Sequence, residues 1–279
     1  MLQKSFFGQS PLGFHRVAYT EWGEASSRPP VICVHGLTRN GRDFDHLAAA
    51  LQAERHLFCP DIAGRGKSDW LSDPALYAYP QYMSDMTALI ARAGGEQVDW
   101  VGTSMGGILG MLLAAYTNSP IRRLVVNDVG PFISLEALKR IGSYVNQFVE
   151  FDDLAAAERY MRQIYAPFGI ENDEDWRRLT QHSVRTLPSG KLGPNYDLAI
   201  GRAFLNLEKG VDLWGVYDRI CCPMLLLRGA QSDVLSSGIA LEMTQRGPKP
   251  RLIEFPNTGH APALIGPAQI GAIEEFLCP

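Results

Sequence analysis

"VDWVGTSMGGILGMLLAAY", residues Val98–Tyr116, decides how this chain is read. Val98–Val101 is a short β-branched run of buried-strand type, and Met105–Tyr116 has the composition of a buried helix. Between them lies Gly102-Thr103-Ser104-Met105-Gly106, a G-x-S-x-G pattern in the strand-to-helix context it requires. A tight turn from strand into helix lifts a serine at its tip in a strained backbone conformation. Small residues two before and two after let the neighbouring backbones close in. The helix N-terminus adds partial positive charge and the free amide of Met105. An incidental serine in a Gly-rich helix start is the plainer alternative, and the strand and helix on either side argue against it.

Further strand-type runs lie at Val31–Val34, His56–Cys59, Leu124–Val126, Met224–Leu227 and Leu252–Phe255. Helical stretches at Asp43–Leu51, Tyr82–Ala93 and Pro267–Leu277 separate or follow them. Strand alternating with helix predicts an α/β fold, a mostly parallel twisted sheet with helices on both faces. "HRVAYTEWGE" alternates more and suits an antiparallel hairpin at the sheet edge. The alternation stops between Phe132 and Gly210. There Leu135, Leu138, Ile141, Val145 and Phe148, and then Leu154, Ala157, Met161 and Ile164, follow helical spacing. "ENDEDWRRLTQHSV" opens on a capping cluster and turns amphipathic, and "PSGKLGPN" reads as a loop. The expected organisation is a core of residues 1–131 and 211–279 with a helical insertion at 132–210.

The 279 residues suffice for a large core without disulfides or metals. Hydrophobic residues at 46% and a net charge of −4 give no reason to expect a nucleic acid or an anionic membrane as partner. No secretory signal is read at the N-terminus, and no apolar run reaches the roughly 18 residues of a membrane span. The five cysteines, Cys33, Cys59, Cys221, Cys222 and Cys278, lack paired metal spacing and read as reduced thiols. A cytoplasmic location is expected.

A nucleophilic serine needs a base, and the base an orienting acid. For this motif the chain order is serine, acid, histidine. Only His182 and His260 follow Ser104. His182 lies on an amphipathic stretch of the insertion, where a surface or capping role is expected. His260, in "FPNTGHAPAL", sits between the last strand and the last helix and is the expected base. Asp233 in "MLLLRGAQSDVL" is the only carboxylate of the loop before it and is the expected acid. Asp128 in "VVNDVGP" also follows a strand and is its competitor, with a structural role in the turn as its alternative. Two amides must stabilise an oxyanion. Met105 supplies one, and Leu37 in "VHGLTRN" the other, with His35 supporting that loop.

"DIAGRGKS", Asp61–Ser68, ends like a phosphate-binding loop. The pattern G-x-x-x-x-G-K-[ST] puts a glycine at position 61, where Asp61 stands and would repel a phosphate. The nucleotide reading is rejected. Gly64 and Gly66 are expected to shape a turn, Asp61 to hydrogen-bond loop backbone, and Arg65 and Lys67 to be solvated or anchoring charges.

"HGL" at His35–Leu37, "DIAGRGKS", "GTSMGG" at Gly102–Gly107, "GAQSDVL" at Gly229–Leu235 and "TGHAPAL" at Thr258–Leu264 together resemble the α/β-hydrolase superfamily, in its order and over nearly the whole chain. The resemblance implies that the insertion is a helical cap that sets specificity. It is closest to soluble esterases with a serine nucleophile and to hydrolases of lactones and carbon–carbon bonds. Ser104 argues against the dehalogenase and epoxide hydrolase branches, which carry aspartate there. Ala261 replaces a tryptophan frequent after the histidine of carbon–carbon hydrolases. The expected function is hydrolysis of small or medium carboxylic esters through an acyl-enzyme, by Ser104, His260 and Asp233, with no cofactor or metal. Lactone or carbon–carbon hydrolysis, or cofactor-free perhydrolysis, uses the same triad, and a ligand-binding receptor is the alternative of another class. Tyr144, Phe148, Tyr160, Tyr165, Phe168 and Trp176 are candidates to line the pocket, though most are expected to pack within the cap. The acidic residues Asp152, Asp153, Asp173, Glu174 and Asp175 are expected at a solvated surface.

Overall fold

The computed structural model describes residues 1–278. The chain starts with an edge hairpin, β1 (Leu2–Ser10) and β2 (Gly13–Trp22), as the alternating stretch predicts. The central strands follow: β3 (Val31–Val34), β4 (Leu57–Pro60), β5 (Val98–Thr103) and β6 (Ile121–Asn127). Helices α1 (Asp45–Leu51), α2 (Tyr79–Ala93) and α3 (Met105–Ala114) alternate with them. The segment expected as one helix from Asp43 begins instead as a 3₁₀ turn, Gly41–Phe44, because the Asn40 side chain caps the Arg42 amide. Helix α2 starts three residues earlier than its apolar pattern, since Pro80 fits a first helical turn. It stops at Gly94, which takes φ 78°.

Two short strands, β7 (Phe132–Ile133) and later β10 (Val211–Asp212), pair with each other where the helical insertion, called the cap for its position over Ser104, leaves and rejoins the sheet. Between them lie α4 (Leu135–Val145), α5 (Leu154–Ile164) and α6 (Asp173–Ser183). Ser134, Asp153 and Asn172 accept a backbone amide at the start of each. The stretch read as a loop carries a small hairpin, β8 (Val184–Thr186) and β9 (Leu192–Pro194). Its Pro-Ser-Gly is the turn, and Leu192–Pro194 is the returning strand. The core resumes with α7 (Trp214–Tyr217), β11 (Met224–Gly229), α8 (Ser237–Met243), β12 (Arg251–Phe255) and α9 (Pro267–Leu277).

The sheet runs β1-β2-β4-β3-β5-β6-β11-β12. The hairpin and the β2–β4 pair are antiparallel, and every pair from β4 to β12 is parallel. Strands β3, β4 and β11 are buried on both faces, which explains their continuous apolar sequences. One core packs around Trp100, Leu109 and Leu226, and another around Val101, Leu225 and Ile273. Since side chains alternate across a strand, the sheet separates the two. A third cluster around Ala157, Met161 and Trp176 belongs to the cap. Cys33 and Cys59 are buried and Cys221 is exposed, all as free thiols. Among the described residues no helix is long and apolar enough to cross a membrane.

Candidate active site

In-register pairing of β5, β6 and β11 builds the floor of the site. Thr103 aligns with Asn127, and Asn127 with Leu227. The residues that leave these strands therefore emerge side by side. Ser104 follows β5 at φ 51° and ψ −114°, outside the common regions for a side-chain-bearing residue. Its amide is held by the Asn127 carbonyl at 2.9 Å. The flanking glycines are steric requirements. A Cβ on Gly102 would lie 2.2 Å from the Gly106 carbonyl oxygen, and one on Gly106 would lie 2.0 Å from that of Val34. Gly106→Ala is expected to cost about 3 kcal/mol of stability, read as a lower urea midpoint. A wild-type midpoint would show that this turn is not tightly packed.

The His260 Nε2 atom lies 2.9 Å from Ser104 Oγ, and Nδ1 lies 2.8 Å from Asp128 Oδ2. An ionised Asp128 accepts from Nδ1–H, which leaves the Nε2 lone pair facing the serine hydroxyl. Asp128 is fully buried, and its second oxygen accepts the Gly229 amide at 2.8 Å. Both carboxylate oxygens thus have partners, as a buried charge requires. Asn127 donates from Nδ2 to the Pro262 carbonyl at 2.8 Å and to Thr103 Oγ1 at 3.1 Å, tying the histidine loop to the strand ends.

The structure corrects the expected acid. Asp233 does not reach His260; it is about half exposed and pairs with Arg140 of α4. The cause is local. Ser232 Oγ accepts the amides of Val234 and Leu235, and this tight turn carries Asp233 outward. Strand β6 adjoins β5 directly, whereas β11 is one strand further away, so Asp128 is the closer carboxylate.

Leu37 and Met105, the expected oxyanion donors, both lie next to Ser104, Leu37 in the cavity lining and Met105 directly after it in the chain. Met105 opens α3, where amides have no intrahelical acceptor. A Cβ on Gly36 would touch Ser104 Cβ at 3.7 Å, so the Leu37 peptide passes beside the serine. That peptide is oriented from behind. His35 Nδ1 donates to the Gly36 carbonyl at 2.6 Å, and the Arg39 amide approaches the same oxygen at 3.2 Å. In a trans peptide this points the Leu37 N–H the opposite way. His35 Nε2 accepts the Ile62 amide at 2.9 Å, and burial pushes the imidazole pKa down to about 3. His35 is thus a neutral, fixed support for the loop.

"DIAGRGKS" braces the same loop. Asp61 accepts the amides of Gly41 and Lys67, each at 2.8 Å, and burial lifts its carboxyl pKa to about 6. Gly66 takes φ 56°, where a Cβ would lie 2.3 Å from the Asp61 carboxylate. Arg65 is fully buried and anchoring: Nε donates to the Leu37 carbonyl, and Nη1 to the Ala63 carbonyl and Tyr82 hydroxyl, each at 2.8 Å.

A cavity of about 310 Å³ opens above Ser104 and His260, between core and cap. Of the aromatic candidates, Tyr144, Tyr165 and Phe168 line it. Tyr160 and Trp176 pack inside the cap, and Phe148 is exposed beyond the end of α4. His182 also lines the cavity, where burial, with Arg42 nearby, pushes its pKa down to about 4. Asp175, expected at a solvated surface, lines the cavity 2.8 Å from His46. Sequence reading passed over the cavity arginines Arg39, Arg42, Arg140 and Arg178. No motif marks them, because their role depends on where the cap docks.

Residues 31–269 match the sequence profile of the Alpha/beta hydrolase family. The chain belongs to that family. This α/β-hydrolase is similar to the 3-hydroxybutyrate-oligomer hydrolase of Cupriavidus necator, 42% identical over 276 residues that cover 96% of this chain and 94% of the relative. It is 26% identical to the 2-(acetamidomethylene)succinate hydrolase of Mesorhizobium japonicum, over 91% of this chain and 90% of that one. Its fold superposes on an α/β hydrolase from Novosphingobium aromaticivorans with a TM-score of 0.88 at 37% identity, covering 99% and 98% of the two chains. Its relatives are named hydrolases and esterases, and the chain is an enzyme of the hydrolase class.

Proposed function

We propose that this α/β-hydrolase is a serine esterase that cleaves short oligomers of 3-hydroxybutyrate through an acyl-enzyme. The observation that carries the chemistry is the unbroken chain from Ser104 Oγ through His260 to buried Asp128, at the floor of the cavity between core and cap. His260 takes the Ser104 proton as Oγ attacks the ester carbonyl. The Leu37 and Met105 amides receive the oxyanion, and losing one such donor costs about 3 kcal/mol. The alkoxide of the leaving hydroxy acid takes the proton back from His260. Water then repeats the cycle on the acyl-enzyme, and Asp128 stabilises the imidazolium at both stages.

The substrate class rests on the 42% identical relative and fits the cavity. Its walls include Ile141, Ile164, Phe168 and Leu264, which suit the methyl and methylene groups of a polyester. The test is hydrolysis of 3-hydroxybutyrate dimer and trimer beside p-nitrophenyl esters of increasing acyl length. Sustained release of monomer supports the reading. Turnover of neither class, or a faster reaction with lactones, would overturn it.

His35→Ala probes the support of the oxyanion loop. It is expected to lower kcat about a hundredfold with little change in KM, because the peptide is misaimed while the cavity walls remain. It also strands the buried Ile62 amide, costing about 1–3 kcal/mol of stability. Steady-state kinetics and urea unfolding read the two effects, and a wild-type kcat would remove His35 from this role.

A further inference from the structure

Four arginines line the cavity, and three are committed on one side of it. The Arg39 guanidinium is bound through Nε to both oxygens of Asp43 and donates to Ser183, with 4% of its side chain exposed. Arg42 and Arg178 converge on the buried carboxylate of Asp45. These groups belong to the turn after β3 and to α6. Arg140 stands apart, on α4 against the loop after β11. In the sheet β5 lies between β3 and β11, so Ser104 lies between the two groups of arginines.

Arg140 is 46% exposed and its partner Asp233 is 51% exposed. Asp233 takes the Nε and Nη2 edge, with Nη2 at 3.0 Å. Among the described residues no acceptor takes Nη1. The Nη1/Nη2 edge, one hydrogen from each nitrogen, therefore remains open to a second carboxylate in the fork geometry that guanidinium favours. Arg140 lines the cavity together with Ile141 and Tyr144 of the same helix, and its exposure places this edge at the cavity rim. An exposed ion pair adds little to stability, yet this one fixes a long side chain at the rim.

We infer that Arg140 is a specificity residue that binds the free carboxylate of the leaving hydroxy acid. The inference rests on the ester-oligomer reading above and deepens it. All ester bonds of such an oligomer are chemically alike, and only its ends differ. The free carboxylate always lies on the alcohol side of the bond being cut. A fixed cation to one side of Ser104 therefore chooses the bond by its distance from the acid end. Asp233 holds the cation in place.

The experiment compares the 3-hydroxybutyrate dimer as free acid and as methyl ester, with wild type, Arg140→Gln and Arg140→Lys. The wild type is expected to prefer the acid by about tenfold to a hundredfold in kcat/KM, mainly through KM. Arg140→Gln brings the ratio of acid to ester close to one, and Arg140→Lys, which keeps the charge, restores part of it. A wild-type ratio near one, or an unchanged ratio in Arg140→Gln, overturns the inference while leaving the oligomer reading intact. Turnover of p-nitrophenyl butyrate without turnover of either dimer form overturns the oligomer reading itself, and this inference with it.

Discussion

Asp128→Asn is expected to lower kcat by about 10⁴-fold, whereas Asp233→Asn keeps kcat near wild type on a neutral ester such as p-nitrophenyl butyrate. The asymmetry follows from what each carboxylate touches. Asp128 accepts from His260 Nδ1 at 2.8 Å, so the proton stays on Nδ1 and the lone pair on Nε2. An asparagine amide turned towards Nδ1 donates instead. It selects the opposite tautomer, which aims an N–H at Ser104 and leaves no base. The fold should survive. Asparagine tolerates the φ of 59° found at position 128, and its carbonyl oxygen can still accept the Gly229 amide. The loss should therefore appear in kcat with the unfolding midpoint little changed. Removing the Asp233 carboxylate breaks only an exposed pair with Arg140. A large kcat loss in Asp233→Asn, with Asp128→Asn active, would return the acid to the loop after β11 and require that loop to move during turnover.

That contrast marks where sequence reading stops. Ser104 was legible because three independent constraints meet on one short stretch: the strand, the helix, and the glycines at Gly102 and Gly106. Both glycines are sterically forced in the structure. His260 was legible by elimination among six histidines. The parallel sheet followed from runs such as Val31–Val34 and Met224–Leu227, which are apolar throughout because both of their faces are covered. The acid was not legible. Asp128 and Asp233 both follow strands and both keep the order serine, acid, histidine. What separates them is the Ser232 turn and the adjacency of β5 to β6, which arise only when the sheet assembles. The cavity arginines fail for a related reason. Arg178 meets Asp45 across 133 positions, and Arg140 meets Asp233 across 93, by contacts that cap docking creates. Arg65 shows the limit of a reading that left two alternatives open. A charged residue between two glycines reads as solvated or anchoring, and the anchoring alternative holds: it is wholly buried because Leu37, Ala63 and Tyr82 accept its protons.

Ser104→Ala is expected to remove about 10⁶-fold of kcat, the largest effect of any single change here. It deletes the nucleophile alone. The φ of 51° at this position is set by the backbone, through the Asn127 carbonyl and the glycines on either side, so alanine inherits the same turn. Substrate should still bind, since the cavity walls and the arginines are untouched. A phosphonate ester that traps serine nucleophiles should add its mass to wild type at Ser104 and not to the variant. The decisive measurement is the double variant. If Ser104, His260 and Asp128 work as one unit, Ser104→Ala combined with Asp128→Asn should be no slower than Ser104→Ala alone, because the base has nothing left to activate. Residual activity in both should then be equal, and reflect only what the Leu37 and Met105 amides contribute to attack by water. A further large loss on adding Asp128→Asn would mean that Asp128 and His260 activate water directly in the residual reaction, whereas a wild-type rate in Ser104→Ala, or no phosphonate adduct at Ser104, would require the acyl-enzyme mechanism to be abandoned.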